Sequence, residues 1–413
     1  MGRRLIAGAP LSRCPVRRHF DIAERVCSTL ASRQISISNG TMKLVRLRSF
    51  LNSLVTTVSL LLGTSACNKS EQAASPSSPA AVEAKPAGGS AAAAPAAGGK
   101  KKKLAYVTNG VDPFWNTAAA GVRAAEKEFD VDCEVLMPPK GIIDQKRMLE
   151  GLLARGVDGI AISPIDARNQ VGLINEAAAR CPVITHDSDA PDSKRLCFVG
   201  MDNYKAGRAA GKLVKEALPA GGKVMLFVGR LEQLNAQQRR QGVIDELMDK
   251  PVQALAAVQY TPPGQPVTSP SGRYVVLDTR TDNFDYARAK ANAQDAMASV
   301  PDLACMVGLF AYNGPNCLGA VKEAGKIGKI QIVSFDEQDA VLQGILDGSV
   351  FGTISQQPYY YGYQSVRILK GLATGDKSLL PPGGFFEVPI VEVRKANAQQ
   401  FWTDLKKMQA SGQ

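Results

Sequence analysis

From residue 104 onward, short β-branched runs alternate with amphipathic stretches of roughly 12 to 16 residues, the pattern of strands joined by helices in a parallel sheet. The apolar runs at 104–108, 133–137, 159–163, 183–187 and 198–200 predict five strands. The pattern then restarts, with runs at 223–228, 274–278, 306–310, 330–335 and 351–355. Fully apolar strands flanked by half-apolar helices need helices on both faces of the sheet, so the expected class is α/β with two Rossmann-like, doubly wound lobes. A chain of 413 residues also exceeds the roughly 100 to 200 residues that one ordinary core serves. Glycines after helices at Gly156 and Gly325 fit left-handed helix ends. The stretch 260–273, with its four prolines and two glycines, reads as a surface loop inserted before a strand.

The first hundred residues have no such alternation. Met42 is followed by Lys43, Arg46 and Arg48, an apolar run from Phe50 to Leu62, and then Gly63-Thr64-Ser65-Ala66-Cys67. A basic segment, a short apolar segment and small residues in that order form a secretory signal. Because it stops at a cysteine, it resembles a bacterial lipoprotein signal, which implies lipidation of Cys67, membrane attachment through it and a periplasmic or extracytoplasmic location. Thr64 departs from that pattern, where leucine is usual, so cleavage after Ala66 to give a soluble periplasmic protein stays open. Residues 1–41, with seven arginines, precede a complete signal starting at Met42 and are either a long basic segment or untranslated. Residues 68–103 are rich in Ala, Pro, Ser and Gly and end in four lysines, a composition of a disordered linker that buries too little apolar surface to offset ordering entropy. The expected organisation is therefore an extension and signal over 1–67 and a linker over 68–103.

Charge removes one class of function. The net charge of +11 suggests a polyanion partner, but residues 1–103 hold 16 Lys and Arg against 4 Asp and Glu, leaving 33 against 34 in the rest. A neutral folded part lacks the basic footprint that drives phosphate binding, so no nucleic-acid partner is expected. His19 and His186 are the only histidines, which leaves little for a multi-histidine metal site or a His-relayed triad. The run Gly207 to Lys212 is one residue short of a phosphate-binding loop and lies in a helical stretch. No metal or cofactor is expected.

Ligands of open parallel sheets bind at the carboxyl ends of strands, and these ends are polar and aromatic. The first strand leads into Asp112-Pro113-Phe114-Trp115, where two adjacent rings at a helix start cannot both face the same sheet. Ser163-Pro164-Ile165-Asp166 follows the third strand, with helix capping as the plainer explanation of Ser163 and Asp166. Asp187 ends an apolar strand, where a carboxylate needs a partner that a ligand hydroxyl would supply. His186 alternates to the other face and reads as a satisfied core or surface residue. In the second set the strand ends carry Arg230, Asn313, Asp336 and Gln356, while Gln237 and Arg239 open a helix. Five cysteines follow the linker, and Cys181 with Cys197 stand near the beginnings of consecutive strands, which makes them the expected disulfide pair in an oxidising compartment.

Taken in order, Asp112-Pro113-Phe114-Trp115, Ser163-Pro164-Ile165-Asp166, 182–187, 200–207, Phe335-Asp336 and Gln356 resemble the sugar-binding proteins of ABC importers, of the ribose-binding type, over about residues 103–395. The resemblance implies a type I periplasmic binding protein fold with a three-crossing hinge near Asn203, Gln356 and Glu387. Lobe 1 would then comprise 104–203 plus 357–386, and lobe 2 would comprise 204–356 plus 387–413. It further implies a monomer that captures a sugar or polyol ligand between the lobes and delivers it to an ABC permease in the membrane, without enzymatic chemistry. Asp112 and Asp187 would accept sugar hydroxyls, Phe114 and Trp115 would flank the ring, Asn313, Asp336 and Gln356 would close from the second lobe, and Phe284 would add an apolar wall. Ser163 stands where ribose binders carry asparagine, Gln237 where they carry arginine, with Arg239 two positions on, and Ser188 where they carry another arginine, so a ligand other than ribose is implied. Micromolar binding, about −8 kcal/mol, must also offset an association cost of about 4–15 kcal/mol. About six hydrogen bonds to charged groups, at about 1.5–3 kcal/mol each, span most of that sum. Two alternatives remain: a ligand-loaded sensory receptor for a chemoreceptor or histidine kinase, and an exported hydrolase using Asp112 and Asp187 as paired carboxylates.

Overall fold

A computed structural model describes residues 100–411. The extension, the signal with Cys67, and the linker up to residue 99 lie outside the described residues.

The chain opens with β1 (Lys103–Val107), α1 (Pro113–Phe129), β2 (Asp132–Leu136), α2 (Ile142–Arg155), β3 (Gly159–Ile162), α3 (Val171–Ala178), β4 (Val183–His186) and β5 (Phe198–Gly200). The restart follows as α4 (Asn203–Ala217), β6 (Gly222–Val228), α5 (Leu234–Leu247), β7 (Val267–Thr268), β8 (Tyr274–Thr281), α6 (Tyr286–Ser299), β9 (Leu303–Gly308), α7 (Asn313–Glu323), β10 (Gln331–Phe335), α8 (Asp339–Asp347) and β11 (Gly352–Ser355). The chain then closes with α9 (Pro358–Ala373), β12 (Phe385–Glu387), β13 (Val391–Val393) and α10 (Ala398–Ser411).

Two sheets result. One has the order β12-β5-β4-β3-β1-β2 and is parallel throughout; the other has the order β13-β11-β10-β9-β6-β8-β7. In the second sheet only the two edges, β13 on β11 and β7 on β8, run antiparallel. All ten expected strands are present. The three additional ones are edge strands of two or three residues, too short for an alternation to register. The stretch 260–273 contains one of them, β7, and is tied to α5 by Arg240, which donates to the carbonyls of Thr261 and Pro262.

Three segments pass between the sheets: β5 into α4, β11 into α9, and β12 into β13. Helix α9 returns to the first sheet, packing on β1, β3, β4 and β5 and along α1. Its approach to α1 is backbone to backbone: a Cβ on Gly121 would lie 1.9 Å from the Tyr359 carbonyl oxygen, and one on Gly362 2.0 Å from that of Ala118. Each sheet is sandwiched between apolar clusters on its two faces, as its all-apolar strands require. Helix α10 leaves the second sheet and packs on both α8 and α1, so it spans the two lobes.

The cysteine pairing is corrected. Among the described residues, Cys133, Cys181, Cys197, Cys305 and Cys317 are all unpaired. Strands β4 and β5 are adjacent and parallel, with Thr185 opposite Phe198. That register places Cys197 level with Ile184, three residues along from Cys181. At about 3.3 Å per residue the offset is about 10 Å, beyond disulfide reach. Peptides carrying Cys181 and Cys197 are therefore expected to be alkylated in denatured, unreduced protein; protection released by reductant would contradict the register.

Candidate functional site

The carboxyl ends of the strands of both sheets meet at one small cavity. It is lined by Asn109, Asp112, Phe114, Trp115 and Asp187 from the first lobe and by Asn235, Arg239, Phe284, Phe310, Ala311, Tyr312, Asp336 and Gln356 from the second. Strand β1 delivers Asn109 and the start of α1, β4 delivers Asp187, β8 leads to Phe284, β9 to Phe310 and Tyr312, β10 to Asp336 and β11 to Gln356. Asp187, Phe284 and Asp336 take φ values of 58°, 64° and 68°. Left-handed backbone at three non-glycine residues is costly and is retained only where the surroundings enforce it, a pattern typical of functional sites.

Asp187 is the most heavily bound group. One carboxylate oxygen, Oδ2, accepts from Asn109 Nδ2 at 3.1 Å, Ser163 Oγ at 2.9 Å and Asn235 Nδ2 at 3.4 Å. The other, Oδ1, has the Arg239 guanidinium 3.7 Å away. Burial pushes the carboxyl up, and the guanidinium and the three donors pull it back.

Arg239 is the hub. It is 1% exposed, and its three nitrogens donate to Asn203 Oδ1 at 2.8 Å, the Leu309 carbonyl at 3.0 Å and Gln356 Oε1 at 2.8 Å. The rings of Phe310 and Phe335 lie 5.5 and 5.1 Å from its guanidinium carbon. Its place depends on tight contact of α5 with α4: a Cβ on Gly207 would fall 2.1 Å from the Arg239 carbonyl oxygen, and one on Gly242 2.2 Å from that of Tyr204. Gln356 passes the network on, donating to Asp336 Oδ2 at 2.9 Å and accepting from Tyr361 Oη at 3.2 Å. Among the described residues, Asp336 Oδ1 has no hydrogen-bond partner. Next to it, Glu337 accepts from Ser355 Oγ at 2.8 Å, and its Oε1 is likewise without a partner among the described residues. Burial raises both carboxyls well above the usual range; Arg239 and Gln356 pull Asp336 back while Asp187 and Asp112 push it further up, and the charge of Asp336 adds to the rise of Glu337.

Of the residues singled out in the sequence, Asp112, Phe114, Trp115, Asp187, Arg239, Phe284, Asp336 and Gln356 line the cavity. Both rings at the start of α1 do so, meeting edge to face with centroids 4.7 Å apart. Asp112 is largely committed: Oδ1 caps α1 through the Phe114 amide at 2.7 Å, and Oδ2 accepts from Tyr286 Oη across the lobes. Ser163 lies one layer behind, as a donor to Asp187. Asn313 is likewise behind the wall, donating to Asp282 at 2.9 Å and accepting from the Phe310 amide. Gln237 is turned away and donates to the Leu231 carbonyl at 2.6 Å. His186 is buried against Tyr106, ring centroids 3.9 Å apart, and burial lowers its pKa to about 3, so it is neutral.

Asn109, Asn235, Phe310, Ala311 and Tyr312 line the cavity without having been singled out. Helical spacing offered a signal for one of them: Asn235 and Arg239 are four apart and share a face, whereas Gln237 lies between. Among the described residues, no group of three or more His, Cys, Asp or Glu is placed to hold a metal ion, and no helix is long and apolar enough to cross a membrane.

A family model described as a periplasmic binding protein domain matches residues 85–377. The D-ribose/D-allose-binding protein of Pseudomonas aeruginosa is 25% identical over 291 residues, spanning 67% of this chain and 83% of that protein. AraP, an arabinose binding protein from Geobacillus stearothermophilus, superposes with a TM-score of 0.58 at 26% identity, covering 73% of this chain and 99% of its own. An ABC transporter solute binding protein from Burkholderia graminis in complex with D-arabinose shares the fold, with a TM-score of 0.64 at 24% identity over 72% of this chain and 96% of its own.

Proposed function

Because the chain belongs to the periplasmic binding protein domain family, we propose that it captures a sugar or similar small polyhydroxylated solute between its lobes and delivers it to the permease of an ABC transporter. One observation carries the reading: acceptors and rings from both lobes converge on one cavity. A sugar ring has C–H faces that pack on aromatic rings, here Phe114, Trp115, Phe284 and Phe310, and a rim of hydroxyls that donate to carboxylates, here Asp187 and Asp336. Arg239 donates to Asn203, the Leu309 carbonyl and Gln356 and faces Asp187, and Gln356 donates to Asp336, so both act as positioning residues, with Asn109, Ser163 and Asn235 steering Asp187. The protein binds without chemistry, since the acids are explained by their hydroxyl partners. It works outside the cytoplasm, tethered through lipidated Cys67.

Calorimetric titration of the purified chain against a panel of pentoses, hexoses and polyols is expected to find a tight ligand, and scattering is expected to show a more compact particle when that ligand is added. Heat from no member of the panel, together with product released from aryl glycosides above background, would overturn the reading in favour of a hydrolase.

A further inference from the structure

Outside the inner cavity, on the side of Trp115 and Phe284, lies a recess of about 370 Å³. Asn109, Asp112, Trp115 and Phe284 line both spaces and form the partition between them. Val111 of the first lobe and Arg230 and Tyr286 of the second line the recess without reaching the cavity. The hydrogen bond that Tyr286 Oη donates to Asp112 Oδ2 therefore crosses from lobe to lobe at the partition itself. Tyr286 is 42% exposed, so its outer side meets solvent. The cross-lobe contacts of Asp187 with Asn235 and Arg239, by comparison, lie buried at the cavity.

Each end of this bond is fixed by its own lobe. Asp112 caps α1 through its other oxygen, and the proline that follows sets the backbone of the first helical turn. Tyr286 is the first residue of α6, directly after the cap Asp285. Its ring stacks on that of Tyr312, with centroids 4.8 Å apart and planes 20° from parallel. Tyr312 in turn donates to the buried Asp282, which also accepts from Asn313 Nδ2 and the Phe284 amide at 2.9 Å each. An exposed polar pair usually contributes little, because two free side chains must be ordered to make it. Here that ordering is done before the lobes meet, so the bond's free energy goes to holding one lobe against the other.

We infer that Tyr286 and Asp112 form a latch across the mouth of the cavity, which slows the escape of a captured solute. Asp112 serves as the acceptor of the latch: each of its carboxylate oxygens already has a donor within the chain, which leaves ligand hydroxyls to Asp187 and Asp336. The inference rests on the sugar-capture reading for the solute, whereas the latch itself is a property of the two lobes. A bond that forms only when the lobes meet does not help a solute find the open cleft, so Tyr286 is a positioning residue that acts on dissociation and not on association.

The test is stopped-flow binding of D-ribose, D-xylose, L-arabinose, D-glucose and D-galactose, followed through the fluorescence of Trp115 in the cavity wall. Tyr286→Phe removes the hydroxyl and keeps the ring on Tyr312. For each sugar that binds, it is expected to raise the dissociation rate about fivefold and leave the association rate within about twofold, the loss expected of one hydrogen bond. Asp112→Asn keeps an oxygen for the helix cap and removes the charged acceptor, and in that background Tyr286→Phe is expected to add no more than about twofold. Unchanged dissociation in Tyr286→Phe, a loss carried by association instead, or the full effect persisting beside Asp112→Asn would refute the latch and leave sugar capture standing. If none of the sugars binds, the sugar reading loses its support and scattering from the sugar-free chain decides the latch. A Tyr286→Phe particle less compact than wild type would uphold it, and identical profiles would refute it as well.

Discussion

Asp187→Ala is expected to weaken sugar binding by at least tenfold, and by about a hundredfold if the carboxylate accepts two hydroxyls, since each charge-assisted hydrogen bond contributes about 1.5–3 kcal/mol and about 1.4 kcal/mol is a factor of ten. The loss has two sources. A direct acceptor disappears, and Asn109, Ser163 and Asn235 lose the oxygen to which all three donate. Asp187→Asn keeps the shape and one acceptor oxygen, so it should fall between wild type and alanine. Gln237→Ala serves as the control. It occupies the position where the ribose-binding type carries arginine, but its side chain is spent on the Leu231 carbonyl, so calorimetry should find its affinity unchanged. Equal affinities for wild type and a folded Asp187→Ala protein would remove Asp187 from the site.

The contrast between Asp187 and Gln237 marks how far the sequence is legible. Strand ends can be read because an acid after an apolar run, as at Val183-Ile184-Thr185, conflicts with burial unless something meets it. The side of a helix can be read only once its start is known, and α5 begins at Leu234 without a side-chain cap to announce it. Asn235 and Arg239 then turn inward together and Gln237 outward. Asp112, expected only as a hydroxyl acceptor, precedes a proline at the first helical position, and its Oδ1 is spent on capping that helix while the residue also lines the cavity. Register is the part no local pattern encodes. Cys181 and Cys197 precede neighbouring strands, yet the level at which β4 meets β5 separates them. The left-handed backbone at Phe284 is likewise imposed from outside, since phenylalanine rarely adopts it, whereas the two aspartates, Asp187 and Asp336, tolerate it more readily than most residues.

Replacing Arg239 is expected to do the greatest damage to the fold. Its guanidinium holds Asn203 and Gln356, residues of two segments that cross between the sheets, and it faces Asp187 of the first lobe from a helix of the second. Arg239→Met keeps much of the apolar volume between Phe310 and Phe335 but leaves two buried carboxylates, Asp187 and Asp336, without their cation. Removing one partner of a buried ion pair costs about 3–5 kcal/mol, which chemical denaturation followed through Trp115 and Trp402 fluorescence would detect as a large shift in midpoint. The loss should also depend on pH in a definite direction. Arg239 lowers the pKa of both acids against the raising effect of burial, so the variant's folded state holds their protons to higher pH than wild type does. A carboxyl raised on folding supports stability while protonated and loses that support as pH rises from its unfolded value, about 4, through its folded one. The gap between variant and wild type should therefore widen from pH 5 to pH 8. His186, neutral when folded and titrating near 6.5 when unfolded, contributes equally to both proteins and cancels in the difference. Glu337 and Asp112 also face this cluster, and their burial works in the same direction as that of the two acids. A gap that stays constant across this range would mean that Arg239 supports the fold through packing on Phe310 and Phe335 rather than by neutralising the acids.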